Sequence, residues 1–250
     1  MRGRCSTTAA VTRSSSADGV VLVPRRRRGF EHLDDPRTEP ALRVRSLRDV
    51  RRANTVLGGA RAVLRELRRS LPEFRGGNAI LLDVGTGLAD IPARARRMAA
   101  HDGVALTTVG VDEAETLARV SLGVLDAGVC ADARRLPFAD ASVDVVTCSQ
   151  VLHHFEDAEI PAVLRELSRV ARRAVIVSDL RRSWIAAAGF WLVSWPLGFH
   201  PVSRHDGVTS VLRGFTPREL VRHVKGATGR AATVRRHPGF RVTATWSPRT

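Results

Sequence analysis

The 250-residue chain has no tyrosine, three cysteines and a single lysine, Lys225. Aromatic residues make up 5 % of it, which leaves few platforms on which single-stranded RNA bases could stack. Cys5, Cys130 and Cys148 make no C-x-x-C pair, so neither a zinc site nor a disulfide framework is expected, and no metal is expected. Cys130 and Cys148 lie in apolar, strand-like runs and read as buried free thiols, which fits a reducing, cytoplasmic setting. No apolar run is long enough to cross a bilayer comfortably. Residues 1–28 lack the apolar core of a secretory signal; they are rich in Ser, Thr and Arg, carry the run Arg25–Arg28, and read as a disordered basic tail. Because lysine is nearly absent, the net charge of +15 is almost wholly arginine. The arginines are scattered over expected helix faces rather than focused in a stripe, which argues against a nucleic-acid partner.

The residues that are present alternate between two periods. Leu42, Val44, Leu47, Val50, Val56, Leu57, Val63, Leu64 and Leu67 recur at helical spacing, with a break at Gly58–Gly59, and predict two helices within residues 41–71. Strands are then predicted at 79–84, 105–111, 128–131, 143–148 and 173–178, with helices at 90–100, 113–124 and 157–171 between them. Repeated strand–helix units imply a parallel sheet with helices on both faces, whose ligands bind at the carboxyl ends of the strands. Residues 184–199, WIAAAGFWLVSWPLGF, interrupt the pattern and hold three of the four tryptophans. They read as a packed helix, a lid over a hydrophobic acceptor, or both, with peripheral membrane contact as a further option. Thr216-Pro217-Arg218-Glu219 is a capping box that opens a helix to about 225, and two strands close the chain at 231–236 and 240–246.

The segment ILLDVGTGLADIP, residues 80–92, places an acid and two glycines where a buried strand meets a helix. A dinucleotide fingerprint there would be G-x-G-x-x-G or A, with the pyrophosphate on the helix N-terminus. The third position is Asp90, read as the helix cap, and its carboxylate would repel a pyrophosphate. A ligand with ammonium and sulfonium groups, such as S-adenosylmethionine, suits it better.

Four segments together resemble the class I S-adenosylmethionine-dependent methyltransferases, in the small-molecule branch of the ubiquinone and menaquinone methyltransferases. They are LLDVGTGLAD, VGVDEAE at 109–115, CADARRLPFADASVDVVTCSQVLHHF at 130–155 and LRELSRVARRAVIVSD at 164–179. EHLDDP at 31–36, the segment 54–59 and SRHDGVTSVLRGFTPREL at 203–220 further resemble bacterial members found beside type III polyketide synthases. The resemblance implies a Rossmann-like α/β fold with a seven-stranded, mostly parallel sheet, N-terminal helices and an apolar insertion after strand five. It divides the chain into the tail, a helical cap at 29–77 and a methyltransferase domain at 78–250 with a lid at 184–213. It also implies that Asp83, Gly85, Thr86 and Gly87 hold the methionine part of the cofactor with Ser149 and Gln150. Asp112, beside Glu113, would accept from the ribose hydroxyls, and Asp132, beside Ala133, from the adenine amino group. Glu113-Ala114-Glu115 departs from the family in lacking the large apolar residue often found there.

The expected chemistry is methyl transfer to oxygen, or ring carbon, of a small hydrophobic phenolic or polyketide-like acceptor in secondary metabolism. The alternatives are an RNA methyltransferase, suggested by charge alone, and a quinone-precursor C-methyltransferase. A phenol ionises near ~10, so a base helps at neutral pH. His153, His154, His200 and His205 are the candidates, with His154 and His205 preferred.

Overall fold

The computed structural model describes residues 23–27, 29–32, 35, 37–115 and 123–248. One sheet contains β1 (Asn78–Val84), β2 (Ala105–Asp112), β3 (Ala127–Cys130), β4 (Val143–Ser149), β5 (Ala171–Leu180), β6 (Thr233–His237) and β7 (Arg241–Trp246). Their order across it is β3-β2-β1-β4-β5-β7-β6. Every pairing is parallel except those of β7, which runs against β5 and β6. After β3 the chain returns past β1 to lay down β4, so the strand order reverses between these two. That reversal opens a crevice at their carboxyl ends.

The helices described are α1 (Pro40–Val56), α2 (Gly59–Ser70), α3 (Asp90–His101), α4 (Ile160–Val170), α5 (Trp184–Ser194), α6 (Pro201–Arg213) and α7 (Pro217–Thr228). The central strands are continuously apolar because both sheet faces are covered. Leu82, Val84, Val146, Cys148 and Val177 belong to one core, with Leu164 and Leu167 of α4 and Leu220 and Val224 of α7. Their neighbours of opposite parity, Ala79, Leu81, Val145 and Ile176, join the other core, with Val63 and Leu67 of α2 and Ile91 and Ala95 of α3. Burying each such leucine or valine stabilises the fold by ~1.5–3 kcal/mol. α2 is therefore built into the sandwich. α1 instead reaches the insertion: Asp49 Oδ2 accepts from the His200 N–H at 3.0 Å, and the Ser46 and Ser203 hydroxyls are 3.0 Å apart.

The expected seven-stranded, Rossmann-like architecture is present, and both elements of the capping box form at the start of α7. Three local expectations are corrected. Asp90 does not cap α3: the N-cap is Ala89, in left-handed conformation at φ 55°, and Asp90 is the first helical residue. Its carboxylate is turned into the crevice instead. Cys130 is exposed, at the end of a strand on the sheet's edge, whereas Cys148 is buried in the centre as expected. Residues 201–213, read only as part of the insertion, form the helix α6. Asp206 and Gly207 weaken its intrinsic helix preference, and packing overrides them. A Cβ on Gly207 would lie 2.1 Å from the Phe190 ring, so the glycine lets α5 and α6 approach closely. Most of the helix expected at 113–124, Cys5, and the tail apart from residues 23–27 lie outside the described residues.

Candidate active site

A cavity of about 990 Å³ opens at the carboxyl ends of β1, β2 and β4. It is near the upper end of the ~300–1,000 Å³ usual for small-molecule sites, which leaves room for two ligands. One end is formed by strand tips, the other by α1, α5 and α6.

At the strand tips, Gly85 takes φ +73°, and a Cβ there would lie 2.1 Å from Val151 Cγ2. The Gly85 and Thr86 N–H groups both donate to the Val111 carbonyl, at 2.8 and 3.0 Å. This pins the turn to β2 and brings Asp112 beside it. Asp112 Oδ2 accepts from the Gly87 N–H at 2.9 Å, and Oδ1 from the Ala114 N–H at 3.1 Å. Burial raises the Asp112 pKa, an effect these backbone donors offset only in part. Asp83 is buried beneath the turn, where the Thr147 hydroxyl donates to its Oδ1 at 2.6 Å. Burial pushes its pKa up to about 7. Such a carboxyl gains from a cation placed against it.

Asp83, Gly85, Thr86, Gly87, Asp112, Glu113, Ala133, Ser149 and Gln150 all line the cavity. Asp132 does not. Its carboxylate is taken by Arg134, with Nη2 2.6 Å from Oδ2, and this pairing pulls its pKa down. Arg134 stands in the wall in its place. Asp90 Oδ2 and Ser149 Oγ are buried wall atoms with no hydrogen-bond partner among the described residues. Gln150 holds a left-handed conformation at φ 58°, and its Oε1 accepts from Arg241 Nη1 at 2.8 Å. Arg241 is itself a buried wall residue, and burial pulls its pKa down to about 10.

The other end is apolar, with Leu47, Phe155, Phe190, Val193, Phe199 and Val211 in its walls. His153 is buried there, between the two ends, and Asp179 from β5 is fully buried behind it. His153 Nδ1 lies 2.7 Å from Asp179 Oδ1, and the His153 backbone N–H donates to Oδ2 at 3.2 Å. Burial would raise the Asp179 pKa, but His153, the Leu180 backbone N–H and His154 together outweigh it and hold the carboxyl below its usual value. An ionised carboxylate only accepts, so the His153 Nδ1 that faces it is the donor, and Nε2 is the ring nitrogen turned away from Asp179. His154 also lines the cavity and stacks on His153, with ring centroids 4.2 Å apart. Its Nδ1 is 4.0 Å from the buried Glu31 carboxylate, which Arg213 holds at 3.0 Å.

His205 and His200 are not in the cavity wall. The His205 Nδ1 lies 3.1 Å from Asp206 Oδ1, and it is Asp206 that lines the cavity. Glu31, His153 and His154 present ligand atoms within 4.8 Å of one another, as do His32, His205 and Asp206. Arg213 on Glu31 makes the first trio an ion-pair network rather than a cation site. Sequence reasoning missed Glu31, Asp179 and Arg241 as site residues. Asp179 carries a signal, as an acid closing the apolar run AVIVS, and Glu31 opens the EHLDDP segment.

Residues 82–177 match the family described as a methyltransferase domain. The chain is 32 % identical over 164 residues to the demethylmenaquinone methyltransferase of Roseiflexus sp. (strain RS-1), covering 59 % of this chain and 66 % of that protein. It is 29 % identical over 162 residues to the enzyme of the same name from Thermotoga maritima, covering 58 % and 67 %. The matched region thus spans about two thirds of each relative. The fold is also that of Burkholderia thailandensis 1,6-didemethyltoxoflavin-N1-methyltransferase, solved with its substrate and S-adenosylhomocysteine. There the TM-score is 0.53 at 16 % identity, over 86 % of this chain and 92 % of that one. Residues 82–177 are thus a methyltransferase domain of the class I, S-adenosylmethionine-dependent kind. The strand-tip end suits that cofactor: it offers buried carboxylates to a cationic ligand, and at Gly87 no described atom lies within 4 Å of where a Cβ would stand, which leaves space beside the turn.

Proposed function

We propose that the protein moves a methyl group from S-adenosylmethionine to a small hydrophobic phenolic acceptor of the polyketide-like class, on oxygen or on a ring carbon. The carrying observation is the junction residue. His153, oriented by Asp179 through Nδ1, stands in the wall of a cavity that joins an acidic, glycine-lined end to an apolar one. In this reading Asp83 and the Gly85–Gly87 turn hold the methionine part of the cofactor, with Ser149 and Gln150 beside them, and Asp112 takes the ribose. Bound there, the cofactor supplies a methyl group on a sulfonium, already a good leaving group. Alignment of acceptor and methyl then supplies much of the rate.

His153 Nε2 takes the phenolic proton, and Asp179 stabilises the imidazolium that forms. The oxygen, or the ring carbon it activates, shares its electron pair with the methyl carbon as the carbon–sulfur bond breaks. Deprotonation raises the electron density of both the phenolate oxygen and its ring carbons, so one base serves either outcome. The relatives named as demethylmenaquinone methyltransferases favour, as a second reading, a quinone-precursor ring carbon. Incubation of the purified protein with S-adenosylmethionine and a panel of phenols, naphthols and quinols tests the proposal. A product heavier by one methylene is expected by mass spectrometry, with carbon NMR separating methoxy from ring methyl. No product from any phenolic or quinol acceptor, with S-adenosylhomocysteine still binding, would overturn it.

A further inference from the structure

α5 is apolar on both of its sides. Ala186, Gly189, Phe190 and Val193 face the cavity. On the outside, Trp184, Trp191 and Trp195, at the helix end, are 42 %, 48 % and 55 % exposed, with Ile185 at 53 % and Leu192 at 62 % beside them. Positions 184, 191 and 195 recur at whole-turn spacing and share one helical face. From Ser183 to Ser203 the sequence has no Asp, Glu, Lys or Arg. A contiguous exposed patch of large apolar side chains marks a surface that is covered in use. Its rim is basic: the Arg27 guanidinium lies 5.1 Å from the Trp184 ring centroid and that of Arg204 3.6 Å from the Trp195 ring. Arg25 and Arg27 are exposed next to it.

We propose that this outer face of α5, with Arg25, Arg27 and Arg204 at its edge, docks on the surface of an anionic lipid bilayer. The helix has 11 residues and is ~16 Å long, against a hydrocarbon core of ~30 Å, so it lies in the interface instead of spanning it. No described helix is long and apolar enough to cross a membrane. Tryptophan settles at headgroup depth, and stable peripheral binding takes two signals, apolar insertion and basic attraction. Both meet here, on a chain of net charge +15. Docking would place the acceptor chamber one helix away from the lipid, which suits an acceptor dissolved in the membrane. The proposal stands on this face and not on which atom is methylated.

The test is vesicle binding by the full chain, read by tryptophan emission. The chain has no tyrosine, and the fourth tryptophan, Trp246, is buried with its Nε1 donating to Ser168 Oγ at 2.9 Å. Emission changes on binding therefore report this patch. With phosphatidylcholine vesicles containing phosphatidylglycerol, a blue shift and quenching by brominated acyl chains are expected, with affinity at least ~10-fold weaker on phosphatidylcholine alone. The double variant Trp191→Ser/Leu192→Ser should lose at least ~10-fold in vesicle affinity while binding S-adenosylhomocysteine as the parent does. Three results would overturn the proposal: no vesicle binding at low salt, equal binding by the variant, or a dimer in light scattering that the variant dissociates. The last would make the face a contact between two copies of this chain.

Discussion

At the strand-tip end of the cavity, Asp83, Gly85, Gly87 and Asp112 come from two neighbouring strands and the turns that leave them, and backbone hydrogen bonds fix their positions. At the apolar end, Glu31, Leu47, Phe190 and Val211 come from segments far apart in the chain, joined by side-chain packing and ion pairs. The first end depends on sheet geometry and suits a constant ligand. The second depends on how α1, α5 and α6 meet, and can change by substitution without disturbing the sheet. This difference predicts that variants at the two ends fail in different ways.

The largest effect is expected at the junction. His153→Ala should lower kcat by ~10²–10⁴-fold, measured as initial rates at saturating cofactor and acceptor. Asp179→Asn should act in the same direction but less strongly, because it removes the group that orients the imidazole and leaves the imidazole itself. Its pH–rate profile should shift, which a loss of packing alone would not produce.

A smaller, pH-dependent effect belongs to the other end. The Asp83 pKa is about 7 when folded, against the 3.8 of an ordinary aspartate. The folded protein therefore holds a proton that the unfolded chain has released. This contribution to stability is full below about pH 4 and is lost as pH rises through about 7. Ligand-free protein should thus lose on the order of 4 kcal/mol from this group across that window, and Asp83→Asn should flatten the change in a chemical denaturation series. A cationic ligand favours the ionised carboxylate, so its binding near neutral pH should release a proton. Calorimetry in two buffers of different ionisation enthalpy reads that release, and Asp83→Asn should abolish it.

The smallest effect is expected outside the cavity. His205→Ala should change kcat by less than ~2-fold, since the cavity wall at that point is Asp206. A large loss there would mean that α6 presents a different face during turnover.

The strand-tip end was largely legible in the sequence because its signals are local. An acid after an apolar run, glycines at a turn and an acid ending the next strand are all set by backbone geometry, and the fold brings Asp83, Gly85, Gly87 and Asp112 to one cavity wall. Asp132 was placed in the right loop, but Arg134, two residues on, takes its carboxylate, and sequence spacing does not reveal that competition. The apolar end was legible only in part. WIAAAGFWLVSW announced an apolar wall, and His153 was a candidate, but its pairing with Asp179 from the next strand is a tertiary fact. Glu31 and Arg241 reach the cavity from opposite ends of the chain; Glu31 opens the EHLDDP segment, but nothing in the neighbours of either residue shows that it folds into the cavity wall. α6 was hidden because Asp206 and Gly207, poor helix formers, sit where α5 needs close approach.

Titration of S-adenosylhomocysteine into parent, Asp112→Ala and His153→Ala protein tests the division of the cavity most directly. The predicted result is a loss of at least ~10-fold in affinity, about 1.4 kcal/mol, for Asp112→Ala, with parent-like affinity for His153→Ala. Equal losses in both variants, or a loss only in His153→Ala, would contradict it.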